Sequence, residues 1–230
     1  MSFSSRLSVA SLAVALSCGG LISAGLPAQA AHASSRDYTQ ADVAFMQGMI
    51  YHHAQAVVMS DWATSHGARA DVATLCKRIA LSQRDEITMM QQWLEARHLA
   101  APDPLDMLPG HPGPPHDESG MNMPGMNMKG MDMPGMNMGS HSMLMPGMLT
   151  PDEMRTLDAA HGTAFDQLYL TGMIKHHQGA LDMVAKLFNT PGAGQQPELF
   201  TFATDVDAGQ RAEIGRMQAI LKTLTTSPTQ

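Results

Sequence analysis

A chain of 230 residues, 44% of them hydrophobic and only 15% charged, can bury a real core, and loss of an N-terminal export segment would leave about 200 residues, enough for one helical domain rather than two. The 21 acidic residues outnumber the 14 basic ones, for a formal net charge of −7, which disfavours nucleic acid as a partner. Of two cysteines, Cys18 falls in the export segment. Cys76 alone can form no internal disulfide, and the Cys-rich zinc patterns are absent.

The chain opens with Arg6 ahead of an apolar, small-residue run from Leu7 to about Leu26, followed by Pro27, Ala28, Gln29 and Ala30. This is the pattern of a secretory signal, residues 1–30, cleaved after Ala30 at an A-x-A site. Lipid attachment at Cys18 is the less favoured alternative, because Ala15 stands where a bulky aliphatic residue is usual. No other apolar run approaches the ~20 residues of a membrane span. The mature protein is expected to be periplasmic or secreted, with no span of its own.

Residues 31–100 read as a helical hairpin. The first helix opens at Thr39, with Asp42 three residues on as a capping box, and is expected to end near His66 and Gly67. Phe45, Met49, His52, Ala56, Met59 and Ala63 advance by alternating steps of four and three, so they line one helical face. His53 sits about 100° round from His52, at the edge of that face. A second helix from about Ala70 to Arg97 places Ile79, Gln83, Ile87, Met90 and Leu94 together. His66 and His98 near the two helix ends suit the helix dipole as cations, and Cys76 reads as a small buried residue.

Residues 101–149 differ in kind. Pro, His and Gly lead into GMNMPGMNMKGMDMPGMNMG, four pentads that hold Met121, Met123, Met126, Met128, Met131, Met133, Met136 and Met138. Eleven of the chain's 22 methionines fall between Met121 and Met148, more than core filling explains. With Pro and Gly this frequent the segment is expected to be a disordered linker when no ligand is bound. His111, His116 and His141 flank the array.

Residues 150–230 repeat the first hairpin after a short extra helix marked by Thr150, Pro151 and Glu153 and running to about Ala160. His161 reads as a solvent-facing break. FMQGMIYHHAQAVVM returns as YLTGMIKHHQGALDM, so Met49, His52, His53 and Met59 recur as Met173, His176, His177 and Met183. Gln83, Glu86 and Met90 recur as Gln210, Glu213 and Met217, with Ala203 in the place of Cys76. Two hairpins with one apolar face each bury those faces against each other. The expected fold is all-α, a four-helix bundle of two repeated hairpins packed as one domain.

Thioether sulfur is a neutral, soft donor that suits Cu(I), and Ag(I) by the same softness, and matches Mg²⁺, Ca²⁺ or Mn²⁺ poorly. It needs no deprotonation and persists where exposed cysteines oxidise. A lone Met or His on an apolar helical face is usually core. Here a Met-His-His trio stands in both copies while most of the residues around it change, which favours metal. Glu86 and Glu213 supply too few carboxylates for a di-iron oxidase. A haem bundle lacks the C-x-x-C-H attachment motif, and a metal-free structural or partner-binding bundle remains the non-metal alternative. No nucleophile constellation or phosphate loop is present, so no enzyme is expected.

The motifs M-I-x-H-H and Q-x-x-E-I-x-x-M, read in both hairpins, resemble those of the exported family labelled domain of unknown function three hundred and five, which includes CopM-like copper-binding proteins and is grouped with ferritin-like bundles. The resemblance spans roughly Thr39 to Leu221. It implies an extracytoplasmic copper-binding protein associated with copper tolerance, with His52, His53, His176, His177 and nearby methionines as ligand candidates. Its partners would be metal ions and a copper efflux component or copper enzyme. The expanded Met pentads depart from the family's usual short connector.

Overall fold

Thr39 starts the first helix as its capping box requires: its hydroxyl accepts from the Asp42 amide at 3.2 Å, and the Asp42 carboxylate accepts from the Thr39 amide at 2.7 Å. Thr150 and Glu153 repeat the device at 3.2 and 2.7 Å, with Pro151 opening the helix. The structure, a computed structural model, describes residues 37–105 and 144–226. The expected signal segment, the eight pentad methionines, His111, His116 and His141 lie outside the described residues.

Five helices and no strand are present among the described residues: α1 (Gln40–Asp61), α2 (Ala70–Glu95), α3 (Pro151–Asp158), α4 (Gly162–Asn189) and α5 (Pro197–Thr226). Helix α1 pairs with α2 and α4 with α5, and α1 meets α4 to join the two hairpins. None of these helices is long and apolar enough to cross a membrane.

The helices end slightly earlier than expected. Regular α1 stops at Asp61 rather than near His66, and the chain winds on to Gly67, whose positive φ of 66° and the Ala68-to-Ala63 backbone bond at 3.0 Å close it off. Helix α2 stops at Glu95 rather than Arg97, and His98 takes the same left-handed place at φ 56°. His66 keeps its place at the helix end, with Nδ1 2.9 Å from the Trp62 carbonyl. It is buried, its Nε2 donates to the Asp158 carbonyl at 2.8 Å, and its ring stacks on exposed His161 with centroids 5.0 Å apart.

Each hairpin's first helix holds the other hairpin's turn. The Asp42 carboxylate of α1 accepts from the Gly194 amide at 2.7 Å, and its repeat Asp166 in α4 accepts from the Arg69 amide at 3.2 Å. With Ser60 and Tyr169 hydroxyls 2.9 Å apart, these pairs fix α1 and α4 antiparallel. The core falls into two apolar clusters. One takes Val43–Ile50 of α1 with Ile87–Leu94, Ala180–Leu187 and Leu199–Val206, and the other takes Ala56–Ala63 with Val72–Ile79, Phe165–Met173 and Met217.

The last residues of the expected flexible linker are packed instead. Met148 and Leu149 are buried, because the Gln55 side-chain amide grips the Leu149 backbone twice, accepting from its amide at 2.7 Å and donating to its carbonyl at 3.0 Å. Gly179 lets this strap lie on α4: a Cβ there would stand 1.9 Å from the Pro146 carbonyl oxygen.

Candidate metal centre

Between the two apolar clusters all four long helices turn polar at once. Helix α1 supplies His52 and His53, α2 Gln83 and Glu86, α4 His176 and His177, and α5 Gln210 and Glu213. The stripe spacing that puts His52 and His176 on their core faces brings the two rings together where α1 crosses α4, with centroids 3.8 Å apart and planes inclined at 40°. His53 and His177 flank the pair, 6.4 Å from His52 and 6.3 Å from His176 respectively. All four imidazoles are fully buried.

Three of the four rings are oriented by oxygen acceptors. His53 Nε2 lies 2.5 Å from the Glu86 carboxylate and His177 Nε2 2.7 Å from that of Glu213. His52 Nε2 donates to the Pro146 carbonyl of the strap at 2.9 Å. A carbonyl or carboxylate oxygen only accepts, so each neutral ring carries its proton on Nε2 and leaves the Nδ1 lone pair free. Those Nδ1 atoms are buried without a partner, as are both nitrogens of His176, both amide atoms of Gln83 and Oε1 of Gln210. An orphaned buried polar atom costs on the order of 1–3 kcal/mol, and here a set of them meets in one layer.

The electrostatics favour neutral donors. Burial, reinforced by His53, pushes the His52 imidazole from 6.5 down to about 3. Burial followed by His52, His177 and His53 holds His176 well below the ordinary value. Burial alone would raise the Glu86 carboxyl, but the His53 hydrogen bond and charge and the Ser82 hydroxyl outweigh it and bring it below the usual value. Two carboxylates thus steady two imidazoles whose free nitrogens point away from them.

The methionines are placed differently from the histidines. Fully buried Met49 belongs to the first cluster with Met46 and Met90, whereas fully buried Met59 and Met173 belong to the second with Met217. Met183 is partly buried against the first cluster. The fold therefore unites His52 with His176, while Met49 and Met173 flank the polar layer from opposite sides. Among the described residues no three His, Cys, Asp or Glu side chains are arranged to hold one metal ion. The layer itself offers neutral imidazole nitrogens, with thioethers in the apolar clusters to either side, and nitrogen and sulfur donors suit a soft ion better than an oxygen-seeking divalent one. Cys76 takes no part: it is fully buried, and burial pushes its thiol up to about 12.

Sequence reasoning missed the strap. Gln55 and Gly179 occupy equivalent places in the two copies, and neither was singled out by its residue type or spacing. The one signal was that this substitution falls inside the otherwise repeated His-His motif.

A duplicated helical hairpin closed around a buried histidine layer defines an all-α class of protein. The chain belongs to the family described as Domain of unknown function (DUF305), which matches residues 42–221. No curated protein matches it. Among solved structures it is similar to a DUF305 fragment from Deinococcus radiodurans, at 24% identity and a TM-score of 0.57 over 81% of this chain and 98% of that one. A DUF305 protein from Streptomyces coelicolor matches at 26% identity and a TM-score of 0.57, over 84% and 98%. CopM in its Cu(II)-bound form matches at 24% identity and a TM-score of 0.50, over 79% and 96%.

Proposed function

We propose that this is an exported copper-binding protein and not an enzyme, taking Cu(I), with Ag(I) or Cu(II) as the alternative ions, through Met and His for copper buffering, sequestration or tolerance. The observation that carries the reading is the set of buried, unpartnered imidazole nitrogens that repeated helices bring together at the α1–α4 crossing. His52 and His176, with His53 and His177 beside them, would hold the ion, and Glu86, Glu213 and the Pro146 carbonyl keep the rings in the ligating tautomer. The similarity to CopM, solved in Cu(I)-bound and Cu(II)-bound forms, supports copper as the cargo. The pentad methionines add capacity, and a copper efflux component or copper enzyme is the proposed recipient.

The test is metal analysis after titration with Cu(I), Ag(I), Cu(II) and Zn(II) under controlled redox conditions, on the wild type and on a His52→Ala/His176→Ala double variant. The expected result is a preference for monovalent ions and loss of the tightest site in the double variant, with helical circular dichroism unchanged. Tight binding that survives in the double variant would remove this pair from the ligand set.

A further inference from the structure

Helices α1 and α4 make the same notch twice. Gly48 of α1 faces Met183 of α4, and its repeat Gly172 of α4 faces Met59 of α1, with the methionine methyl 3.6 Å from the place of the missing Cβ in both cases. The strap treats the two notches differently. At Gly48 it contributes a sulfur, Met145 Sδ, 3.3 Å from the missing Cβ, whereas at Gly172 it contributes only the methyls of Leu149, the nearer at 3.1 Å. The Leu149 notch is sealed, with Met59 fully buried, while Met145 and Met183 stay partly exposed. They line a cavity of about 500 Å³, with Asp182 also on its wall.

We infer that Met145 and Met183 form an outer two-thioether site for a soft monovalent ion, one peptide unit outside the His52/His176 pair. The inference rests on the copper-binding reading above and adds a place where the ion is held before it reaches the histidines. The site is built, not incidental, because the backbone carrying Met145 is fixed at each step. Pro146 accepts from His52 at 2.9 Å, Gly147 takes a positive φ of 76° where a Cβ would lie 2.5 Å from the Lys175 carbonyl, and Gln55 clamps Leu149. Two neutral sulfurs bind a monovalent soft ion without releasing a proton. The cavity wall carries one carboxylate, Asp182, and one ammonium, Lys186, so the sulfurs and not a net charge select the ion, and the next residue along the strap already touches the imidazole that would receive it.

Full-length protein labelled with ¹³C at the methionine methyls, titrated with redox-inert Ag(I), tests this. Met145→Leu and Met183→Leu assign the two signals. They are expected to shift together with one midpoint while Met59 stays still, and Met183→Leu should abolish the Met145 shift although pentad methyls continue to respond. Independent or absent shifts at Met145 and Met183 would overturn the outer site. Histidine ring signals recorded in the same titration separate the two readings: rings that respond while both methyls are silent leave the histidine centre standing and remove the outer site, and coupled methyl shifts with silent rings do the reverse.

Discussion

The two hairpins carry the same pair of histidines on the same helical faces, yet His52 has a partner that His176 lacks. In the first copy Gln55 holds the strap by two hydrogen bonds, and in the second Gly179 clears the space for it. The carboxylates differ as well, since Glu86 accepts from Ser82 at 3.0 Å while Glu213 faces Gly209 at the equivalent place in its helix. Duplication built a symmetric layer of donors, and a few substitutions then gave that layer one covered side. Positions where internal repeats disagree inside an otherwise repeated motif are where the two halves take on different contacts.

The sharpest way to break the asymmetry is Gly179→Ala. The new methyl would stand 1.9 Å from the Pro146 carbonyl oxygen, so the strap must lift, and the cost is expected to be about 1–3 kcal/mol even though alanine is the better helix former. Denaturant unfolding measures it, and a variant as stable as the wild type would mean that the strap does not secure the crossing. Deletions make the same cut from the other side. Removing residues 120–139 should leave thermal unfolding and helicity unchanged while lowering the number of Cu(I) or Ag(I) ions bound. Extending the deletion through residue 148 should destabilise the fold as well, because it takes away the carbonyl on His52.

Acid should act on the histidine layer next. His52 titrates near 6.5 when unfolded and at about 3 when folded, and His176 is depressed in the same sense. The unfolded chain thus binds protons that the folded chain refuses. The stability these rings confer is complete above pH 6.5 and falls as pH drops toward 3, by up to about tenfold in the folding constant per pH unit for each ring. His52→Ala/His176→Ala should flatten that slope in urea unfolding of the metal-free protein between pH 7 and 4 (about the span over which an ordinary histidine and a deeply buried one differ), and an unchanged slope would assign the acid sensitivity elsewhere. The smallest effect is expected from Gly209→Ser, which restores to Glu213 the hydroxyl that Glu86 enjoys and removes a helix-interior glycine with open space around it. A gain of about 0.5–1 kcal/mol in unfolding free energy is expected, and a loss would show that the two dyads are not equivalent.

Much of this arrangement was legible in the sequence, because helical spacing is a local rule. The repeat at Met49–Met59 and Met173–Met183 announced two helices with His on the core face, and Thr39 with Asp42 announced where the first begins. The strap was not legible: Met145, Pro146 and Gly147 continue the composition of the pentads, and what seats them is a clash-free approach to Gly179 and a clamp from Gln55 more than ninety residues away. The burial of His66 was not legible for a related reason, since its place beside a helix end is local but its cover, Asp158 and Phe165, arrives from the second half. The positions of Met49 and Met173 in opposite clusters follow from the antiparallel crossing of α1 and α4, which a repeat alone does not specify.

The most direct measurement is ¹⁵N imidazole NMR of the protein loaded with Ag(I) or Cu(I), with the ring signals assigned by single His→Gln variants. The hydrogen bonds to Glu86, Glu213 and Pro146 require metal-induced shifts at Nδ1 of His52 and its neighbours, with Nε2 still carrying its proton on His52, His53 and His177. Rings that remain unmoved while the methionine methyls respond would contradict a histidine centre and leave the thioethers as the only ligands, and shifts at Nε2 of His52, His53 or His177 would overturn the tautomer those hydrogen bonds assign.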